Sequence, residues 1–211
     1  MKWTELLDAV GSEPLFESGM LLVGEVDPTD VARQLSRWVA AGRLLRLRRG
    51  LYAFAGREAQ LRRPLNPYEV ANRLVPGSYV SLASVLAQAG LIPEYVPVTT
   101  SVTTGRPGMR STPLGSFLYR RVKREMFWGY EARKVAPGVH LFVATPEKAL
   151  VDMFYLESDA DDPSFLSELR LQNLERVRLD VLATMAQRCG SARVVRAVDR
   201  VESMATEGGV R

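Results

Sequence analysis

The residues best placed for acid–base or metal chemistry are the carboxylates Glu147, Asp152, Glu157, Asp159, Asp161 and Asp162, with Lys148 beside the first of them. Glu147 or Asp152 together with Lys148 is the combination that a metal-dependent nuclease would use. Asp159, Ala160 and Asp161 begin like a calcium-binding loop. The sixth position, however, is Ser164 rather than glycine, and the twelfth is Arg170 rather than glutamate, so that loop is excluded. Glu147 follows Thr145 and Pro146, a helix-start signature in which a first-turn carboxylate stabilises the helix dipole without any catalytic role. Cys189 is the only cysteine and His140 the only histidine, which rules out an internal disulfide and thiolate-rich metal sites. Residues 103–108 (TTGRPG) lack the glycine-lysine-threonine arrangement of a nucleotide-binding loop and read as a strand-to-strand connection. No metal or cofactor is expected, and the chain does not read as an enzyme.

The cations tell more than the acids. Net charge is +4 and the pI is about 9.4, but the distribution is sharper than the total. Residues 31–57 contain no acid, while Arg33, Arg37, Arg43, Arg46, Arg48, Arg49 and Arg57 all fall there. A second basic stretch holds Arg106, Arg110, Arg120, Arg121, Lys123 and Arg124, with Arg133 and Lys134 beyond it. Concentrated positive charge of this kind is what a polyanionic partner selects, and duplex DNA is the leading candidate.

The elements that must position these arginines can be read from periodicity. Trp3, Leu6, Leu7 and Val10 recur at helical spacing before Gly11, and Ser12 with Pro14 predicts a second short helix through Leu15, Phe16 and Met20 to near Gly24. Asp27, Pro28 and Asp30 open a third helix whose apolar positions are Val31, Leu35, Trp38, Val39 and Gly42. Its opposite face carries Thr29, Arg33, Ser36, Arg37 and Ala40, side chains suited to a major groove. Residues 42–54 then read as a hairpin turning at Arg49 and Gly50. Leu45, Leu47 and Leu51 are expected inside, with Tyr52 or Phe54, and Arg43, Arg46, Arg48 and Arg49 outside. Three helices and a basic hairpin make a winged helix-turn-helix, in which Arg33, Ser36 and Arg37 reach base edges and Arg46, Arg48 and Arg49 hold phosphate.

Residues 57–66 have no periodicity and read as a linker. Asn66 to Glu69 opens a helix with a capping box that closes at Pro76 and Gly77, and Ser81 starts another that ends at Gly90. Strand-like runs follow at 96–104, 115–122 and 139–144, then a helix from Thr145 with Leu150, Val151, Phe154 and Tyr155 inward, and helices at about 180–189 and 192–204. The expected fold is α+β: a winged helix-turn-helix over residues 1–56, a linker at 57–66, a mixed domain with a small, mostly antiparallel sheet and C-terminal helices over 67–205, and a flexible tail at 206–211. Arg120, Arg121, Lys123 and Arg124 form a second candidate surface for nucleic acid or a partner. No apolar run approaches the length of a bilayer-spanning helix and no signal peptide is apparent, so the cytoplasm is the expected location.

The sequence resembles the AbiEi family of antitoxins, the DNA-binding partners in type IV toxin-antitoxin systems. Three segments in order carry the resemblance: residues 43–52 (RLLRLRRGLY), residues 79–86 (YVSLASVL) followed by Gly90 and Leu91, and residues 144–152 (ATPEKALVD). It covers about residues 1 to 160. The resemblance implies an autorepressor whose N-terminal domain binds repeats upstream of its own operon, and we expect it to bind as a homodimer or cooperatively. It also implies a C-terminal region that counters a nucleotidyltransferase-like toxin without needing a stable complex. Two other classes compete: a protein-interaction module that neutralises the toxin with DNA binding secondary, and the nuclease built on Glu147, Asp152 and Lys148.

Overall fold

The computed structural model describes residues 1–23 and 26–208, which divide into two compact units. The first comprises Met1–Leu74 with Ser111–Gly115; the second comprises Val75–Arg110 and the chain from Ser116 on.

In the first unit α1 (Trp3–Val10) is followed by β1 (Leu15–Glu17), a 3-10 turn (Ser18–Leu21), α2 (Pro28–Ala40), β2 (Leu44–Arg48), β3 (Leu51–Phe54), α3 (Gly56–Gln60) and α4 (Pro67–Leu74). The three strands form one sheet in the order β1-β3-β2. Leu6 and Val10 of α1, Phe16 of β1, Val31, Leu35 and Trp38 of α2, and Leu44, Tyr52 and Phe54 of the hairpin make a common core. Burial of each such side chain contributes on the order of 1.5–3 kcal/mol. Trp3 closes it, packing edge-on against Trp38 and Phe54 at 5.0 and 5.9 Å.

The second short helix expected after Ser12 is instead a strand and a 3-10 turn. Leu15 and Phe16 are both buried, which extended pairing with Ala53 and Tyr52 of β3 allows and a solvent-facing helical turn would not. Phe16 stacks on Tyr52 with ring centroids 5.8 Å apart. The expected end of that helix, near Gly24, lies outside the described residues.

The hairpin turns at Arg49 and Gly50 as the sequence predicts, with Gly50 at φ +80, a left-handed conformation that favours glycine. Its inward set differs. Leu44 and Leu47 are buried and Leu45 is only partly so. Arg46 pairs with Tyr52 and Arg48 with Leu51, so Leu47 is an extra residue on β2, a bulge that breaks the two-residue alternation.

The stretch expected to be a linker is fastened in place. It contains α3, and the Arg62 guanidinium lies 3.5 Å from the centre of the Phe54 ring while donating to the Glu13 and Glu58 carbonyls. Arg63 bridges Glu13 and the buried Glu69 at 2.6 and 2.8 Å. Glu69 therefore answers Arg63 rather than completing a capping box, and the division between the units falls after Leu74.

The second unit contains β4 (Ser78–Val80), α5 (Ala83–Gln88), β5 (Val98–Thr103), β6 (Gly108–Thr112), β7 (Gly115–Arg121), a 3-10 turn (Arg124–Met126), β8 (Tyr130–Ala136), β9 (Val139–Ala144), α6 (Pro146–Leu156), α7 (Pro163–Leu169), a 3-10 turn (Leu174–Arg176), α8 (Leu179–Cys189) and α9 (Ala192–Gly208). Its six-stranded sheet runs β6-β7-β5-β4-β9-β8. The sheet is mostly antiparallel, as expected, with two parallel pairs: β4–β5 and β8–β9 are antiparallel, as is the β6–β7 hairpin, while β4–β9 and β5–β7 are parallel. The last pair is parallel because β6 takes the edge, so that β7 returns beside β5 in the same direction.

Helix α6 is the hub, with α5, α8, α9 and β9 packed around it. Thr145 Oγ1 accepts from the Lys148 amide and caps it. Seven of its eleven residues are buried, among them Lys148 and Asp152, which is why its hydrophobic pattern lacks one clear face. Helix α9 continues past Met204 to Gly208, so the expected tail is helical at its start; residues 209–211 lie outside the described residues. No helix among the described residues is long and apolar enough to cross a membrane.

Candidate nucleic-acid interface

Helix α2 is fixed by its start. Asp27 Oδ1 accepts from the Thr29 amide at 2.8 Å, Pro28 occupies the first turn, and Asp30 lies near the positive end of the dipole. With Val31, Leu35 and Trp38 buried against the core, Thr29, Arg33, Ser36, Arg37 and Ala40 are all exposed. Arg33 pairs with Asp30 at 2.8 Å, but both side chains are more than half exposed (59% and 62%). Such a pair contributes less than about 1 kcal/mol, so Arg33 is released at little cost. The Ser36 hydroxyl donates to the Ala32 carbonyl at 2.9 Å and keeps its lone pairs for an incoming donor.

The hairpin arginines do not share one role. Arg46 and Arg49 are exposed and, with Arg37, have no carboxylate partner among the described residues. Arg43 lies over the Trp3 ring, 3.7 Å from its centre, which pins the guanidinium to the helix side of the core. Arg48 is tied down. Its Nε and Nη2 donate to the Arg73 carbonyl at 3.2 and 3.1 Å, Nη2 also reaches Glu17, and Nη1 donates to the Arg49 carbonyl. This guanidinium fastens β2 to β1 and to the end of α4, so it is less free than Arg46 and Arg49 for the phosphate contact expected of it. Arg48→Ala is expected to lower stability by about 1–3 kcal/mol while leaving the salt dependence of duplex binding unchanged. Thermal melts and salt titrations of the variant would check this, and a flattened salt slope would return Arg48 to the phosphate set.

The structure brings Ser36 of α2 together with Arg46 and Arg49 of the hairpin, all three lining one cleft. A contact invisible to sequence reading holds the hairpin there: the Ser18 amide donates to the Gly50 carbonyl at 2.8 Å. Two backbone groups so far apart in sequence leave no mark on composition or periodicity.

The second basic stretch is also thinned. Arg120 donates to Glu157 at 2.9 Å and to the Leu156 carbonyl at 3.3 Å, so it holds β7 to the end of α6 rather than joining a free surface. Arg121, Lys123 and Arg124 are exposed.

The carboxylates considered for nuclease chemistry are committed elsewhere. Asp152 and Lys148 are fully buried, paired with each other, and completed by Tyr79, Ser81 and the Met126 carbonyl. Burial pushes the Asp152 carboxyl above its usual range, against the pull of Lys148, Ser81 and Tyr79. Ser81 thus serves Asp152 instead of capping α5, which begins at Ala83 after Leu82 at φ +59. Glu147 is 2% exposed and accepts from the Arg178 backbone and guanidinium. Burial opposes its charge, yet those bonds and Thr145 hold its carboxyl below the usual range. Among the described residues no group of three or more histidine, cysteine or acidic side chains is arranged to hold a metal ion.

A family model described as a transcriptional regulator, AbiEi antitoxin, matches residues 18–55, the span from the 3-10 turn through β3 and the residue after it. The resemblance read from the sequence holds over this segment, and the match supports a role as transcriptional regulator or antitoxin. The other two resembling segments, at 79–91 and 144–152, lie outside it. No curated protein matches the chain.

Proposed function

Because residues 18–55 carry the signature of AbiEi transcriptional regulators and antitoxins, we propose that the chain is a DNA-binding autorepressor acting as the antitoxin of a type IV toxin-antitoxin system. The observation that carries the reading is the exposed cationic face shared by α2 and the hairpin. In this reading the first unit is a winged helix-turn-helix in which the 3-10 turn takes the place of the middle helix and the β2–β3 hairpin is the wing; its β1-β3-β2 sheet supports this. Thirteen residues of α2 give a rod about 20 Å long, well matched to lying in a major groove about 12 Å wide. In this reading Arg33, Ser36 and Arg37, with Thr29 at the helix start, face base edges, and Arg46 and Arg49 hold the adjacent phosphates.

Two acids lie at the start of α2, beside the residues that face DNA in this reading. Asp27 caps α2 and Asp30 lies in its first turn, where the positive end of the helix dipole offsets both charges. Two copies on a repeated operator would double the phosphate contacts, and the protein works in the cytoplasm without catalysing a reaction. The second unit carries the antitoxin activity against a nucleotidyltransferase-like toxin, by function rather than by a lasting complex.

A reporter driven by the DNA upstream of this protein's own gene tests the proposal. Expression of the chain should repress it several-fold, and Arg46→Ala with Arg49→Ala should restore it. Unchanged reporter output on expressing the intact chain would contradict autorepression.

A further inference from the structure

The cleft between α2 and the hairpin has a volume of about 280 Å³, close to the smaller end of small-molecule sites. Its polar rim is Arg46, Arg49, Ser18 and Ser36, and its apolar side includes Tyr52 and Leu22. Leu22 is 42% exposed, so hydrocarbon is open to solvent beside two cations that lack a carboxylate partner among the described residues. The walls are preset. The Ser18–Gly50 backbone bond fixes the hairpin turn to the 3-10 turn, and the capped start of α2 fixes the opposite side. A bare phosphate would use only the rim; a ligand with a carboxylate and a short hydrocarbon body would use both parts. The larger cleft of the second unit, about 470 Å³ beside the Leu174–Arg176 turn and the end of α9, has Glu175 as its one charged lining side chain among the described residues, which does not specify a ligand.

We propose that this cleft binds a small amphipathic organic anion, a medium-chain or aryl carboxylate, and that the bound anion releases DNA by taking Arg46 and Arg49 from the phosphates. The regulatory half rests on the DNA-binding reading above; the binding half does not. In that arrangement the ligand acts as an inducer, and its effect on duplex affinity equals the effect of duplex on ligand affinity.

The test uses the full chain with octanoate as probe, and with octanamide and inorganic phosphate as controls. Amide spectra should show saturable shifts at Ser18, Ser36, Gly50 and Tyr52 with octanoate, and about tenfold weaker binding of octanamide and phosphate. Ala32→Phe, which fills the cleft from α2, should abolish the shifts, and Arg46→Met with Arg49→Met should make octanoate and octanamide equal. In fluorescence anisotropy, octanoate should shift duplex titrations to higher protein concentration in step with its occupancy. Octanoate leaving those amides unmoved, or octanamide or phosphate matching it, overturns the site. Octanoate that binds without shifting the duplex titration overturns the competition. If octanoate binds and no duplex does, the DNA reading has failed and the anion site stands by itself.

Discussion

Replacing Arg46 and Arg49 together with alanine is expected to flatten the salt dependence of duplex binding by about 1.8 logarithmic units per decade, the loss of two phosphate contacts. Near 0.15 M salt that corresponds to about thirtyfold weaker binding on any sequence. The effect is large because neither guanidinium has a carboxylate partner among the described residues, so no internal bond competes with the phosphate. Arg33→Ala or Arg37→Ala should act differently. A guanidinium reading a guanine edge discriminates by about 1–3 kcal/mol, so these variants should chiefly narrow the gap between operator and scrambled DNA. Salt titrations of each variant on both duplexes separate the two behaviours, and equal losses on both duplexes for all four positions would remove the base-reading assignment.

Lys148→Met is expected to cost about 3–5 kcal/mol, a large share of the ~5–15 kcal/mol that stabilises a typical domain. The methionine keeps the hydrocarbon that Gly129 leaves room for: a Cβ at Gly129 would lie 2.9 Å from Lys148 Cδ. What is lost is the ammonium between Asp152, the Met126 carbonyl and the Trp128 ring. Asp152 is then left in the core with only the Tyr79 and Ser81 hydroxyls. Adding Asp152→Asn should recover much of the loss, because the amide oxygen still accepts from both hydroxyls and no buried charge remains. Denaturant melts of the two single variants and the double variant measure the coupling. Strict additivity would mean that the pair is not the unit described, and an unchanged melt for Lys148→Met would contradict its role in the core.

The elements that carry the hairpin arginines show what the sequence makes legible. The start of α2 is readable because Asp27, Pro28 and a 3.6-residue apolar repeat all give the same answer, and the turn is readable because Gly50 follows Arg49 between two apolar runs. Arg48 and Arg49 are adjacent and chemically identical, yet one is fastened to Glu17 and the Arg73 carbonyl while its neighbour is exposed. That difference is set by the bulge at Leu47, and a bulge depends on how β2 meets β3 rather than on either strand alone.

The same limit explains the other departures. Strand β1 is three residues long with two consecutive buried positions, too short to show alternation. The basic residues of the 57–66 stretch look like solvated linker until Glu13 and Glu69 are seen to be their partners. Ser81 has the chemistry of a helix cap, but its hydroxyl donates instead to a carboxylate 71 residues away. Long-range partners decide sheet order and the fate of individual polar side chains, and periodicity carries only local information.

The most direct test of the central claim is fluorescence anisotropy of the full chain on duplex DNA from upstream of its own gene and on a scrambled duplex, each titrated with salt. Salt-dependent binding to both is expected, with the upstream duplex favoured by about a thousandfold or more. Equal affinity for the two duplexes, or no binding to either, would contradict the claim.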